Sequence, residues 1–371
     1  MPTLDPSTLA WLRLESTPDI GLVRAHALLG HFGTPEAIFS ASHADLCAVI
    51  PARPARLLCA SPSDEFSACC EQVQAWLAAP GNQLLTRDHP AWPALLRTIA
   101  LPPLLLYAKG QLSLLNQPAV AIVGSRNATT QGCATARGFA AALSEAGVTV
   151  VSGLALGIDA AAHEGALSGP GATVAVIGTG ADRIYPRRND ALARRIAEHG
   201  CVISEYALGI GPLAGNFPRR NRLISGLCRA VLVVEAAAQS GSLITAHVAL
   251  EQGRDVFAVP GSIHAPLSKG CHKLIKEGAM LVESSADLFE ALALAPGRLA
   301  TQQGSDAATV TATAPALLPL LAAMGHGPVH GDVLAGLTAT EPGTLASQLL
   351  TLELAGQVER LPGGLFQRVN R

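Results

Sequence analysis

Short apolar runs, separated by glycine-containing turns and helical patterns, dominate the middle of the chain. The runs are rich in Val and Ile and show no polar alternation, which is typical of strands buried on both faces of a sheet. The segments between them are long enough for crossover helices, so we predict a parallel α/β sheet that binds ligands outside the carboxyl ends of its strands. The runs are AVAIV (119–123), VTVV (148–151), ATVAVI (172–177), VIS (202–204), AVLVV (230–234) and DVFAV (255–259).

A helical pattern precedes this sheet. Gly33 interrupts apolar positions at helical spacing, Thr34 can cap the next helix, and Pro35 would occupy its first position. We interpret residues 1–80 as a small helical domain of the sterile-alpha-motif (SAM) or helix-hairpin-helix type. The segment carries few basic residues, so packing or dimerisation remains open beside DNA binding.

The sheet domain is predicted to extend over residues 81–295, with strands at 83–86 and 102–110 added at its edge. Residues 296–315 are rich in Ala, Thr, Gly and Pro, which is the composition of a linker. Residues 316–371 contain helical patterns followed by a hairpin pattern, which predicts a winged-helix-like domain. Its candidate recognition helix has no arginine, so contact with a protein is an alternative to reading a DNA groove.

Composition limits the function classes. The formal net charge of −2 over 371 residues excludes a globally basic nucleic-acid binder, but it leaves room for a local basic patch. Most basic residues are arginines, whose planar fork suits phosphate and stacks on bases. The 8 cysteines form no CxxC pair, so we predict buried free thiols in a reducing compartment. We see no signal-peptide pattern and no membrane-spanning run, and we predict a cytoplasmic protein.

Glycine turns, helix starts and arginines follow the predicted strands. Backbone amides at such positions favour anions, glycine lets the backbone approach a ligand, and arginine adds charge with bidentate reach. Arginine clusters in two loops, 183–189 and 217–226, suit an extended phosphate chain better than one compact phosphate. The candidate polyanion-binding residues are Gly124, Ser125, Arg126, Gly153, Gly157, Gly178, Gly180, Arg187, Arg188, Phe217, Arg219, Arg220, Asn221, Arg222, Ser240, Gly241 and Ser242.

Aromatic and acidic residues accompany these candidates. Phe217 either stacks on unpaired bases or packs its loop onto the sheet, and the same alternatives apply to Tyr185. Glu205 and Glu235 are expected to orient arginines rather than to form a catalytic pair. Asp159 is expected to cap the next helix and to share a local hydrogen bond with its neighbours, not to bind a metal.

Signatures of common nucleotide-dependent enzymes are missing. The chain has no GxxxxGK[ST] loop, no completed GxGxxG after Gly178 and no GxSxG elbow. The second predicted strand ends in Ser152 rather than in an acidic residue that would bind a ribose hydroxyl, which disfavours NAD. We therefore predict a non-catalytic protein with no cofactor and no metal.

Seven motifs resemble, in order and spacing, those of the DNA-processing protein A family, also called Smf. They cover about half of the chain, and they are SGLALGIDAAAH (152–163), IGTGADRIYPRRN (177–189), FPRRNRLISG (217–226), VLVVEA (231–236), SGSLITA (240–246), DVFAVPG (255–261) and SKGCHKLIKEGA (268–279). Two positions depart from the usual pattern of the family. Gln239 stands where many members have a basic residue, and His272 stands where an asparagine is common.

The resemblance implies an extended Rossmann-like domain that binds single-stranded DNA without hydrolysing nucleotide. It implies that the protein protects incoming DNA and loads a RecA-type recombinase onto it during natural transformation, with displacement or tolerance of single-strand binding protein. It also implies a homodimer formed through the central domain. By motif, residues 124–126 resemble the phosphate-gripping turn of the family, residues 217–222 its pocket wall, and Lys269 joins the DNA-binding candidates.

Two alternatives remain at the level of the sequence. Rossmann-like nucleotide hydrolases of the lysine-decarboxylase-like group share glycine turns at this sheet edge, but their PGGxGTxxE motif is absent. The Pro362-Gly363-Gly364 segment lies in the tail and does not continue that motif. A protein-interaction scaffold, with the arginines as surface charge, is the second alternative.

Overall fold

The computed structural model describes residues 4–293, 317–325 and 327–369. The predicted linker, residues 296–315, lies outside the described residues. Within the described ranges, a helical segment precedes a nine-stranded sheet that is covered on both faces, and a small three-stranded unit follows.

Six helices form the N-terminal segment. Thr34 caps the third of them by accepting a hydrogen bond from the Ala37 N–H, and Pro35 lies in its first turn, as the sequence pattern indicated. The apolar faces of the helices share one core with Tyr107 of the sheet, so the segment is packed against the sheet edge. The helices are α1 Pro6–Ser16, α2 Leu22–Phe32, α3 Pro35–Ser40, α4 His43–Cys47, α5 Ala52–Cys59 and α6 Asp64–Leu77.

The central sheet has the order β1-β2-β6-β5-β4-β3-β7-β8-β9. Strands β3 to β9 are parallel, while β1 pairs antiparallel with β2, and β2 pairs antiparallel with β6. The parallel arrangement predicted for the central runs is confirmed, and the two edge strands, for which no direction was predicted, are antiparallel to their neighbours. The strands are β1 Asn82–Thr86, β2 Leu105–Gly110, β3 Ala119–Val123, β4 Thr149–Ser152, β5 Thr173–Val176, β6 Cys201–Ser204, β7 Ala230–Val233, β8 Asp255–Ala258 and β9 Met280–Leu281.

Helices cover both faces of the sheet. The apolar side chains of α7, α8 and α13 enclose one core, and those of α9 a smaller core beside it. The side chains of α10, α11 and α12 pack on the opposite face. Because both faces are buried, the strands need no polar alternation, which is why they appear as continuous apolar runs. The helices are α7 Thr130–Glu145, α8 Ile158–Ala166, α9 Asp190–His199, α10 Asn216–Gly226, α11 Gly241–Glu251, α12 Lys269–Lys276 and α13 Ser285–Ala291.

The C-terminal unit has the winged-helix arrangement of three helices and a hairpin. Its sheet has the order β10-β12-β11, and Gly363 and Gly364 provide the positive φ angles of the hairpin turn. The hairpin was predicted, but the middle helix, α15, was not, because it has only two turns of weakly patterned sequence. The elements are α14 Leu318–Met324, β10 Val329–His330, α15 Gly331–Thr338, α16 Pro342–Leu354, β11 Val358–Leu361 and β12 Leu365–Arg368.

The structure thus confirms the predicted fold class, a Rossmann-like sheet between a small helical segment and a winged helix. It also corrects one local prediction. Residues 217–226 were expected in a loop, but they form most of helix α10. Among the described helices, none combines the length and the apolar character needed to cross a membrane.

Candidate nucleic-acid-binding site

The order in which successive strands are placed in the sheet reverses between β3 and β7, which are neighbours in the sheet. Strands β4, β5 and β6 follow on one side of β3, and β7, β8 and β9 follow on the other. In open α/β sheets, the carboxyl ends at such a switch point leave a crevice that binds ligands. A cavity of about 640 Å³ occupies this position. Its lining includes nine of the predicted residues, namely Gly124, Ser125, Arg126, Phe217, Arg220, Asn221, Ser240, Gly241 and Ser242.

The turn after β3 is fixed by backbone hydrogen bonds. The Ser125 N–H donates to the Glu235 carbonyl at 2.7 Å, and the Ser125 carbonyl accepts from the Ile158 N–H at 3.1 Å. This turn presents Arg126, which is exposed and has no ion pair within the described residues. Its guanidinium carbon lies 5.7 Å from the centroid of the Phe217 ring, within the range of a cation–π contact. The charge of Arg126 is therefore available to a ligand in the crevice.

Gly124 lines the cavity and also has a packing role. A Cβ atom there would lie 2.6 Å from Ile158 Cγ1 and 2.8 Å from the Glu235 carbonyl oxygen. The close approach of α8 and of the residues after β7 therefore requires a glycine at this position. Gly157 has φ +74°, and a Cβ there would meet the backbone of Ser125 and Arg126. The two glycines let the β3 turn and the β4 turn pack together.

An aromatic pair forms one wall of the crevice. Phe217, in the first turn of α10, lies with its ring centroid 5.5 Å from that of Tyr185. Gly178 makes room for this wall, since a Cβ there would lie 3.0 Å from Phe217 Cδ1. Tyr185 is 44% exposed, and both rings line the cavity. Phe217 can therefore both pack its segment against the sheet and contact a ligand in the crevice. Gly178 leaves the space that the Phe217 ring occupies.

Arg220 points inward from α10. It is 4% exposed, and its Nη1 donates to the Val176 carbonyl. Burial lowers the pKa of Arg220 to about 10, whereas the charge of Asp159 raises it. Burial raises the pKa of the Asp159 carboxyl, and Arg220 opposes that shift. A Cβ on Gly153 would collide with both side chains, so this glycine accommodates the buried pair.

Asp159 does not cap α8 as expected. Its Oδ2 accepts from the N–H groups of Gly153 at 3.1 Å and of Ala155 at 3.3 Å, so it organises the turn before the helix. Burial lowers the pKa of His163 to about 3. The Leu154 N–H donates to His163 Nε2 at 3.3 Å, so Nδ1 carries the proton and donates to Thr173 Oγ1 at 2.7 Å. His163 is therefore a neutral core residue.

The two glutamates after β6 and β7 differ in their partners. Arg222 donates through Nη2 to Glu205 Oε2, and both side chains are largely buried. Burial raises the pKa of Glu205, and Arg222 opposes that shift. Glu235 accepts from the Thr129 N–H at 3.0 Å and from Thr129 Oγ1 at 2.6 Å, and it has no arginine partner among the residues that the structure describes. The expectation that glutamates orient arginines holds for Glu205 and is wrong for Glu235, which instead anchors the start of α7.

The N-terminus of α11 forms another part of the wall. Ser240 caps this helix by accepting a hydrogen bond from the Ser242 N–H at 3.3 Å, and the two hydroxyl oxygens lie 2.7 Å apart. Gly241 and Ser242 line the cavity, and Gly241 places its backbone N–H there. The positive end of the helix dipole therefore faces the same space as Arg126.

The remaining predicted residues lie outside the cavity lining. Arg187 and Arg188 form a single 3-10 turn before α9, and Arg219 is exposed on α10. Gly180 packs against the Ala207 carbonyl, and Lys269 donates through Nζ to the Ile263 carbonyl. Sequence reasoning missed Pro212, Ala214 and Ile244 in the lining, and their types carry no chemical signal. Within the described ranges, no group of His, Cys, Asp and Glu side chains is arranged to bind a metal ion.

These features define a Rossmann-like protein that has a charged crevice at its switch point and lacks a nucleotide-binding fingerprint. The profile of the family described as "DNA recombination-mediator protein A" matches residues 83–293, and that of "DprA winged helix domain" matches residues 304–364. The chain therefore belongs to the DNA recombination-mediator protein A family, whose members are also named DprA and Smf.

Relatives of known sequence and structure agree with this assignment. Protein Smf of Escherichia coli (strain K12) is 42% identical, with 81% of each chain aligned. DNA processing protein DprA of Streptococcus pneumoniae is 53% identical over 50% of this chain and 66% of its own. The X-ray structure of the S. pneumoniae protein matches with a TM-score of 0.63 at 37% identity, covering 78% of this chain and 98% of that one.

A structure of DNA processing protein A from Helicobacter pylori also matches, and its description refers to a single-stranded DNA binding mode. The TM-score is 0.53 at 31% identity, and the match covers 57% of this chain and 96% of that chain.

Proposed function

We propose that this protein binds single-stranded DNA in the crevice at the switch point of its central sheet. This proposal rests mainly on the contact between the Arg126 guanidinium, which has no ion pair within the described residues, and the Phe217 ring at the crevice wall. A cation beside an aromatic ring suits a flexible single strand, because phosphate binds the charge while an unpaired base stacks on the ring. The single-stranded DNA binding named for the H. pylori relative supports the proposal.

The site residues we propose fall into two groups. Arg126, Phe217 and Asn221 contact the strand directly, and Gly241 at the start of α11 contributes an N–H donor. Arg220 positions α10 through its bond to the Val176 carbonyl, and Arg222 does so through its ion pair with Glu205. The remaining predicted residues, which lie outside the cavity, are Gly153, Gly157, Gly178, Gly180, Arg187, Arg188, Arg219 and Lys269. Among these, the exposed arginines would extend the path of the strand.

The direct test is fluorescence anisotropy of a labelled oligothymidylate at rising salt. Binding that weakens steeply with salt supports the proposal, because neutralised phosphates release counterions. Absence of binding at low salt contradicts it and favours the alternative of a protein-interaction scaffold.

Family membership supports a wider proposal. The protein protects incoming DNA, loads a RecA-type recombinase onto it during natural transformation, and acts as a homodimer formed through the central domain. A readout is RecA-filament assembly on DNA coated with single-strand binding protein. Faster assembly in the presence of this protein is the expected result, and an unchanged rate contradicts the loading role.

We propose that the protein is not an enzyme. The titratable groups near the crevice are committed to structural contacts, as His163 bonds to Thr173 and Glu235 bonds to Thr129. The Pro362-Gly363-Gly364 segment forms the turn of the β11–β12 hairpin, and the residues after it do not continue the PGGxGTxxE motif. Incubation with AMP is expected to release no adenine.

We propose three domains, residues 1–80, 81–295 and 316–371, with a linker at 296–315. Limited proteolysis tests these boundaries.

The winged helix is proposed to contact a protein rather than a DNA groove. Helix α16 exposes Leu350 and Leu354 and has no basic residue. A recognition helix without cations lacks the phosphate contacts on which groove binding depends.

A further inference from the structure

A second cleft, of about 450 Å³, lies between the helical segment and the first strands of the sheet domain. Helices α1 and α2 form one side, and the connection between β1 and β2 forms the other. Its lining includes Trp11, His26, Gly30, Arg87, Asp88 and Arg97. None of these residues lines the crevice at the switch point.

The cleft concentrates positive charge that is not paired within the protein. Arg87 and Arg97 form no ion pair in the part of the chain that the structure describes, whereas Arg222 and several surface arginines each have a carboxylate partner. Burial lowers the pKa of Arg87, and the charge of Arg97 lowers it further, so the two guanidinium groups lie close enough to repel. Arg97 is held near Arg87 because its Nη2 donates to the Arg87 carbonyl at 2.6 Å.

The uncharged residues of the lining do not add a donor. Trp11 is 3% exposed, and its Nε1 atom is itself buried, so the indole N–H does not face the open cleft. His26 Nε2 bonds to the Pro102 carbonyl at 2.7 Å. The two arginines are therefore the groups of the cleft that can bind an anion.

The volume of the cleft, about 450 Å³, is large enough for a phosphate group. Gly30 and Gly33 in its lining are exposed, so no side chain covers the cleft there. Asp88 is the acidic group in the lining, and it is exposed, where solvent screens its charge. Burial lowers the pKa of His26, and the charges of Arg87 and Arg222 lower it further, so His26 adds no charge at neutral pH.

We propose that this cleft binds a phosphate group, held by the Arg87 and Arg97 guanidinium groups. Arginine forks match the oxygen pairs of phosphate. The ligand is either a backbone phosphate of a bound strand or a free phosphate compound. The first source rests on the proposed function, and the second does not.

Helix α10 connects the cleft to the crevice. Its first turns line the crevice through Phe217 and Asn221, and a Cβ at its last residue, Gly226, would lie 2.9 Å from Leu96 in the 3-10 turn that carries Arg97. The helix has 11 residues, so it is about 16 Å long. A strand that leaves the crevice along α10 would therefore reach the cleft after a few nucleotides.

The test compares the double variant Arg87→Ala/Arg97→Ala with a matched control, Arg53→Ala/Arg56→Ala. The control removes the same charge from exposed positions on α5 that do not line the cleft. Each protein is titrated with a short oligothymidylate of about 5 nucleotides, which fills the crevice alone, and with one of about 20 nucleotides. Thermal unfolding with inorganic phosphate, at constant ionic strength set by chloride, forms a separate arm.

A strand phosphate in the cleft predicts that the cleft variant binds the long oligonucleotide about tenfold more weakly, with a salt slope smaller by about 0.7. Its affinity for the short oligonucleotide should equal that of the control. A free phosphate compound predicts unchanged oligonucleotide affinities, with loss of the stabilisation that inorganic phosphate gives to the wild-type protein.

The inference is overturned if the cleft variant equals the control with the long oligonucleotide and phosphate stabilises neither protein. If no protein binds either oligonucleotide, the proposed function fails, and the phosphate arm alone decides the cleft. In that case, stabilisation of the control but not of the cleft variant upholds the site, and equal responses overturn it.

Discussion

The Arg126 guanidinium lies 5.7 Å from the centroid of the Phe217 ring, and this contact joins two walls of the crevice. Arg126 belongs to the turn after β3, whereas Phe217 lies in the first turn of α10. The fold thus places a charge for phosphate and a surface for a base at one point. Arg126 and Phe217 were each recognisable in the sequence as candidate binding residues. Their contact, however, depends on the packing of two segments that are far apart in the sequence.

Replacement of Phe217 tests the stacking surface. We expect Phe217→Ala to weaken binding of oligothymidylate by about tenfold, because stacking of a base on an aromatic ring contributes about 1–3 kcal/mol. Phe217→Tyr keeps the ring and should retain affinity. Anisotropy titrations at one salt concentration measure both variants. Wild-type affinity of Phe217→Ala would limit the ring to packing against Tyr185 and Gly178.

Replacement of Gly124 tests the close approach of β7 and α8. A Cβ at Gly124 would meet Ile158 at 2.6 Å and the Glu235 carbonyl at 2.8 Å, so Gly124→Ala should lower the free energy of unfolding by about 1–3 kcal/mol. The matched control is Gly138→Ala in helix α7, where a Cβ meets nothing within 4 Å. This control should be neutral or stabilising by up to about 1 kcal/mol. Denaturant unfolding measures both, and equal midpoints would disprove the packing role.

A buried carboxyl predicts a pH-dependent stability. Burial raises the pKa of Glu15 from 4.5 to about 7, although its hydrogen bond from the Tyr107 hydroxyl opposes the shift. The folded state therefore holds this proton more tightly than the unfolded state. The stabilisation is complete below pH 4.5 and is lost as the pH rises through 7.

The expected loss for the wild-type protein is about 1 kcal/mol per pH unit within this window. Glu15→Gln cannot titrate and should not show that loss, so its stability relative to the wild type should increase as the pH rises. Glu71→Gln, at an exposed position of α6 in the same helical segment, is the control. Urea unfolding at about pH 5 and pH 8 gives the comparison. Parallel pH dependences of Glu15→Gln and the wild type would show that Glu15 has an ordinary pKa.

The sequence was sufficient where local pattern and burial agree. Continuous Val and Ile runs predicted the central strands, since a strand covered on both faces has no polar face to display. Thr34 and Pro35 predicted a helix start for a purely local reason, the side-chain cap and the fixed φ of proline. The positions of the strand ends then predicted which turns share an edge of the sheet.

The sequence did not predict the positions where a charged residue is buried, because residue type alone suggests that such a residue is exposed. Arg220 was expected to contact a ligand as an exposed cation, but it is buried beside Asp159. A signal was present, because Asn216, Arg220 and Leu223 have the spacing of one buried helical face. The polar composition of this segment concealed the helix, and the carboxylate that accommodates Arg220 comes from a distant turn. The antiparallel direction of β2 likewise depends on its pairing with β6.

The most direct measurement is a salt titration of oligothymidylate affinity for the wild-type protein, Arg126→Ala and Arg195→Ala. Arg195 is exposed on α9 and lies outside the crevice lining, so its variant controls for the loss of one charge. We expect Arg126→Ala to bind about tenfold more weakly, with a salt slope smaller by about 0.7, and to do so for all base sequences alike. Identical affinities and slopes for Arg126→Ala and Arg195→Ala would contradict single-stranded DNA binding in this crevice.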